Sequence, residues 1–126
     1  MLFGKCETES KQVASLTKIM TAHCVLNLVE SLKNEHNSPY CDLNCQVKIL
    51  KPVSQMEGTS ACLKEDDSLS IMHLMYGMML PSGNDAAQAL ATYFGHLILN
   101  NGLADPNEAM VVCPTAVERK YKELKI

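Results

Sequence analysis

Between Ser15 and Lys33, apolar side chains fall on almost every side of a helical barrel: Leu16, Ile19, Met20, Ala22, Cys24, Val25, Leu26, Leu28, Val29 and Leu32. A helix that is apolar all round is normally covered all round. The reading over 15–33 is therefore a helix buried on nearly all sides. Ser15 stands at or beside its N-cap, and the Asn and Pro residues of "KNEHNSP" stop it. Other elements must wrap this rod. With 126 residues they amount to one domain or less. A fold of that size buries roughly two-thirds of the surface its unfolded chain exposes.

The hydrophobic fraction of 47% and charged fraction of 20% are those of a globular chain. Net charge is −3, without a basic block or basic–aromatic interleaving, so nothing supports nucleic-acid binding. No apolar run approaches the ~20 residues of a membrane-spanning helix. The opening "MLFGKCETES" lacks the basic start and apolar run of an export leader. It leaves two openings, a cytosolic protein or a sequence that starts inside a longer chain. Cysteines stand at 6, 24, 41, 45, 62 and 113, and only Cys41 and Cys45 are close together. Without a second closely spaced half-site, zinc is not expected. The cysteines read as scattered buried or free thiols, or as disulfides if the chain is exported.

The remaining elements follow from local signals. "LFGKCETES" reads as a strand tail and polar turn, and 36–46 as a polar loop. "QVKILKPV" reads as a short strand stopped by Pro52. "DDSLSIMHLMYGMML" opens a second helix with Asp and Ser at its start, its Met72, Met75, Met78 and Met79 serving as flexible core filler. "LPSGND" breaks that helix. A third helix starts near Asp85 and carries "AAQALATYFGHLIL". "NNGLADPNE" is a loop, and "TAVERKYKEL" a last amphipathic helix. His23, His36, His73 and His96 are scattered and read as helix-face or loop residues.

Two short stretches carry chemistry. Ser15 and Lys18 are spaced i, i+3 and share a helix face. Ser15 lies where the free N–H groups of a helix start favour negative charge. A lysine in apolar surroundings loses some preference for its charged form. As a neutral amine it accepts a proton from a serine hydroxyl and activates it. In "PSGNDAA", Ser82 and Asn84 project from a tight Pro/Gly loop. A hydroxyl and an amide two residues apart can shuttle a proton and hold a carbonyl. The plainer reading is a turn in which Asn84 or Asp85 caps the third helix. Gly58–Ala61 and the acidic run Glu65–Asp67 read as structural.

Ser-x-x-Lys followed by Ser-x-Asn is the pattern of penicillin-binding proteins and serine β-lactamases. "VASLTKIMTA", "GTSACLKEDDSLSI" and "LMYGMMLPSGNDAAQALA" closely resemble the D-alanyl-D-alanine carboxypeptidases of peptidase class S11, from about Leu2 to Leu99. The resemblance implies an α+β, predominantly helical part of a β-lactamase/transpeptidase-like fold, lacking most of its antiparallel sheet. Residues 1–126 would be a partial domain of that kind. It implies Ser15 as acylated nucleophile, Lys18 as general base, Ser82 as proton relay and Asn84 as holder of the substrate amide. The substrate would be a peptidoglycan-type peptide ending in D-Ala-D-Ala, and β-lactams would acylate the same serine. No metal or cofactor is implied. Family members are usually exported. The family's third element, Lys-Thr-Gly or Lys-Ser-Gly, follows none of the lysines here. Two alternatives stand beside the carboxypeptidase: an inactive relative kept as a binding module, and a serine β-lactamase. Neither the oligomeric state nor the compartment follows from the sequence.

Overall fold

The structure, a computed structural model, describes residues 8–100 and 105–109. A 3₁₀ turn at Ala14–Leu16 leads into α1 (Thr17–His36). There follow β1 (Gln46–Lys48), α2 (Lys51–Ser54), β2 (Ser68–Ser70), α3 (Ile71–Met79), α4 (Asn84–Leu99) and α5 (Pro106–Ala109). The strands form a two-stranded antiparallel sheet in the register Gln46↔Ser70, Val47↔Leu69 and Lys48↔Ser68. Asn107 continues that ladder on the free side of β1. Its Oδ1 accepts from Lys48 N at 2.9 Å and its Nδ2 donates to Gln46 O at 2.8 Å. The fold is thus predominantly helical α+β. No helix among the described residues is long and apolar enough to cross a membrane.

α4 is the central element. Ala86, Ala89, Leu90, Tyr93, Phe94 and Leu97 recur at three- and four-residue spacing and are all buried. They meet Ile71, Leu74 and Met78 of α3, Val47 and Ile49 of the β1 segment, Val53 of α2, and Val25 and Leu32 of α1. Tyr93 crosses Phe94 edge to face, with ring centres 5.5 Å apart. Its hydroxyl donates to Tyr40 O at 2.9 Å and so ties the 38–45 loop to the core. Burial, helped by the nearby thiols of Cys45 and Cys41, pushes the Tyr93 phenol well above its usual range.

Several expectations need correction. α1 is not buried on all sides: Leu16, Ile19 and Met20 are 64%, 57% and 61% exposed, and only Val25 and Leu32 reach the core fully. Nothing among the described residues covers its opposite face. Ser15 stands beside the N-cap of α1 and not at it. The N-cap is Leu16, without a side-chain hydrogen bond. The helix runs past Lys33 because Asn37, at φ 46°, takes the left-handed conformation that closes a helix end. Ser68–Ser70 pairs as β2, which the helix reading did not include, and its last residue is the serine at the helix start: Ser70 caps α3 by accepting from His73 N at 3.2 Å. Pro52 ends no strand but sits in the first turn of α2, where its missing N–H costs nothing. Pro106 likewise opens α5 inside the expected loop. The expected strand tail at 2–7 and the last helix at 115–124 lie outside the described residues.

Candidate active site

α3 ends at Met79, and the chain needs only Leu80–Gly83 to turn into α4. That tightness forces Ser82 to φ 59°, a left-handed backbone that a non-glycine residue holds only when its surroundings fix it. The fixing groups are visible. Ser82 O accepts from Lys18 Nζ at 2.8 Å and from the Thr59 hydroxyl. Gly83 N donates to Gly77 O at 3.1 Å, and Asn84 N donates to Thr59 O at 2.7 Å.

Lys18 lies in the first turn of α1, half-buried, and reaches across to this loop. Its Nζ donates to three oxygens: Ser82 O, Ser82 Oγ at 3.1 Å and Asn84 Oδ1 at 2.8 Å. The donors of an ammonium are thus spent on the second stretch and none on Ser15. Asn84 is held at both ends, because its Nδ2 donates to Glu57 O at 3.1 Å. Ser15 belongs to the 3₁₀ turn, whose first residue, Ala14, has φ 44°. It is exposed and lines an open cleft of about 410 Å³ together with Lys18 and Ser82. Val13, Leu16, Ile19, Met78 and Met79 give that cleft apolar walls. The structure therefore hydrogen-bonds three of the four expected residues to one another and sets the fourth in the same cleft.

Gly58–Ala61, read as structural, fasten this site. Gly58, at φ +94°, lies so close to Asn84 that a Cβ there would meet its Nδ2 at 2.6 Å. Thr59 bonds both Ser82 and Asn84. Asp85, read as a helix-start residue, is only 2% exposed. It accepts from Ser60 Oγ at 2.7 Å, Ala61 N at 2.9 Å, Leu63 N at 3.2 Å and Ala86 N at 2.8 Å. The signal available was the resemblance of "GTSAC" and "SGND" to one family. Neither stretch announces the other from a distance of more than 20 residues.

Burial raises the Asp85 carboxyl, but the hydrogen bonds from Ala61, Ser60, Leu63 and Ala86 outweigh it and hold the group below its ordinary 3.8. A depressed acid stabilises the fold above its unfolded value and loses that contribution as pH falls through the native one. Urea midpoints of the wild type should therefore hold from neutrality to about pH 4 and fall below it. Asp85→Asn should be less stable at pH 7 by about 1–2 kcal/mol and show a shallower acid decline. Parallel acid limbs in the two proteins would remove Asp85 from the linkage.

Among the described residues, no group of His, Cys, Asp and Glu could hold a metal ion. The chemistry on offer is that of an exposed hydroxyl, an amine and a second hydroxyl around a cleft with apolar walls.

The family model for D-alanyl-D-alanine carboxypeptidase, peptidase S11, matches residues 1–96. A D-alanyl-D-alanine carboxypeptidase of Streptomyces sp. (strain K15) is 38% identical over 97 residues, covering 75% of this chain and 30% of the relative. The D-alanyl-D-alanine carboxypeptidase DacF of Bacillus subtilis (strain 168) is 25% identical over 93 residues, covering 74% of this chain and 22% of the relative. The chain thus spans less than a third of the length of these curated relatives.

Proposed function

Because the chain belongs to the D-alanyl-D-alanine carboxypeptidase family, peptidase S11, we propose that residues 1–126 are part of a serine acyl-transfer domain for peptides ending in D-Ala-D-Ala. Ser15 is the nucleophile, Lys18 its general base, Ser82 the relay and Asn84 the holder of the substrate amide. The observation that carries this reading is the Lys18 side chain, bonded at once to Ser82 Oγ and Asn84 Oδ1 beside a cleft that Ser15 lines.

Lys18, as the neutral amine, takes the Ser15 proton while Oγ attacks the carbonyl carbon of the penultimate D-alanine. A C–O bond forms and the carbonyl oxygen becomes negative. The proton passes from Nζ to Ser82 Oγ across 3.1 Å, and the hydroxyl hands its own proton to the departing nitrogen. The C–N bond then breaks, D-alanine leaves, and water later cleaves the ester. The family's Lys-Thr-Gly strand, which supplies an oxyanion N–H and binds the substrate carboxylate, has no counterpart among these residues. The described part contributes nucleophile and proton path.

A fluorescent penicillin incubated with the chain should add covalently. Peptide mapping should find the acyl group on Ser15 within Gln12–Lys18. A folded sample that takes up no label favours the inactive binding module. A label that clears within seconds favours the β-lactamase.

A further inference from the structure

The Asp85 carboxylate is the most heavily bonded side chain beside the site, and nothing in the acyl-transfer steps uses it. It sits in the first turn of α4, immediately after Asn84, yet three of the groups it binds belong to the segment 60–63. Ser60 Oγ, in turn, accepts from Cys62 N at 2.8 Å, which steadies the left-handed Cys62 at φ 60°. We infer that Asp85 is a positioning residue for acylation: it straps residues 57–63 onto the Ser82–Asn84 loop and thereby holds the partners of Lys18 in place.

The chain of contacts is short. Asp85 fixes Ser60 and Ala61. The strap then presents Thr59, whose hydroxyl reaches Ser82 O and whose carbonyl takes Asn84 N at 2.7 Å. Glu57 O, one step further along, takes Asn84 Nδ2. Ser82 O and Asn84 Oδ1 are two of the three oxygens that orient the Lys18 amine. A capping role alone would need only the bond to Ala86 N. Four further bonds cross to another segment and touch nothing in the helix. The bonds are also those of a carboxylate. Both oxygens accept and neither donates, so an amide in the same place turns an N–H₂ toward N–H groups that already point at it.

The inference rests on the acyl-transfer reading, and its test separates the two. Saturation kinetics with the fluorescent penicillin give the acylation rate constant and the half-saturation concentration for wild type, Asp85→Asn and Asp85→Ala. The expected order of rate constants is Asp, then Asn, then Ala, with the alanine variant down by about 10²-fold, the cost of losing fixed geometry around a reacting group. Half-saturation should stay within about twofold. Equal rate constants in all three, with Ser15 labelled in each, overturn the inference and leave the reading intact. Amide hydrogen exchange decides the matter independently of labelling. In Asp85→Asn, the Asn84, Ala61 and Leu63 amides should lose protection by at least about 10-fold, while Leu90–Phe94 keep theirs. Uniform loss along α4, or none at Asn84, overturns the strap. A wild type that takes no label sinks the reading, and the strap then stands or falls on the exchange result.

Discussion

Lys18→Ala is expected to lower the rate of penicillin acylation at Ser15 by about 10³-fold, within the range general bases contribute, while the fold persists. Nζ bonds both Ser82 and Asn84, so on the acyl-transfer reading its removal takes away the base and the route of the proton together. Stability should change little. Ser82 O keeps the Thr59 hydroxyl, Asn84 keeps Glu57 O, and the half-buried Lys18 position lets water reach Asn84 Oδ1. Lys18→Arg separates base from anchor. A guanidinium still donates to Ser82 O and Asn84 Oδ1, but it does not give up its proton near neutrality. The arginine variant should therefore be as slow as the alanine one. Recovery of more than a tenth of the wild-type rate in Lys18→Arg would reduce Lys18 to an electrostatic anchor and end the general-base assignment. Time courses of gel fluorescence read the rates, and thermal melts of both variants verify the fold.

The resemblance placed Lys18 in one site with Ser82 and Asn84, and the structure bonds it to both; the absence of a Ser15–Lys18 hydrogen bond was not legible. The i, i+3 spacing brings Ser15 and Lys18 to one side, which suggests a direct hydrogen bond. The 3₁₀ turn instead turns Ser15 toward the cleft, and the lysine spends its donors on a loop 64–66 residues away. Periodicity reports which sides of a helix are apolar, not what comes to cover them. It therefore marked α4 well, whose apolar face is filled by α3, β1 and α2, and overstated the burial of α1. The strand at Ser68–Ser70 was missed because a three-residue strand has no period of its own. Its pairing with Gln46–Lys48 is a contact across 20 and more residues. Asp85 is the helix-start residue it was read as, but its further role was hidden for the opposite reason. An acid in the first turn of a helix already has a local explanation, so its bonds to 60–63 left no trace in the local pattern.

The exposed apolar residues near the site separate into two kinds. Val13, Leu16, Ile19 and Met79 wall the cleft and are needed there if solvent is to be excluded when a ligand binds. Leu26, Tyr76 and Leu80 do not line the cleft, and Leu80 is 80% exposed. The first set is tied to the acyl-transfer reading.

Gly83→Ala should cost about 3 kcal/mol of stability, the upper end for overpacking a tight site. The backbone angle is not the reason, because φ is −61°, which alanine adopts freely. The reason is space. A Cβ would lie 2.7 Å from Gly77 O, 2.7 Å from Asp85 Oδ1 and 2.9 Å from Ala61 N. Those atoms belong to α3, α4 and the 57–63 segment, so no single side-chain rotation relieves the clash. Either the Gly83 N to Gly77 O bond opens or Asp85 releases Ala61, and both loosen the Ser82 loop. Gly58→Ala provides the contrast. There the near atom is Asn84 Nδ2, the end of a side chain, but φ is +94° and alanine resists it. Displacing that amide breaks its bond to Glu57 O and misdirects Oδ1 from Lys18. Gly83→Ala should thus lower the melting midpoint by roughly 10 °C or more and slow acylation with it. Gly58→Ala should lose more in acylation rate than its melting point predicts. Equal melting points for wild type and Gly83→Ala would mean that the three elements do not meet at Gly83 as closely as described.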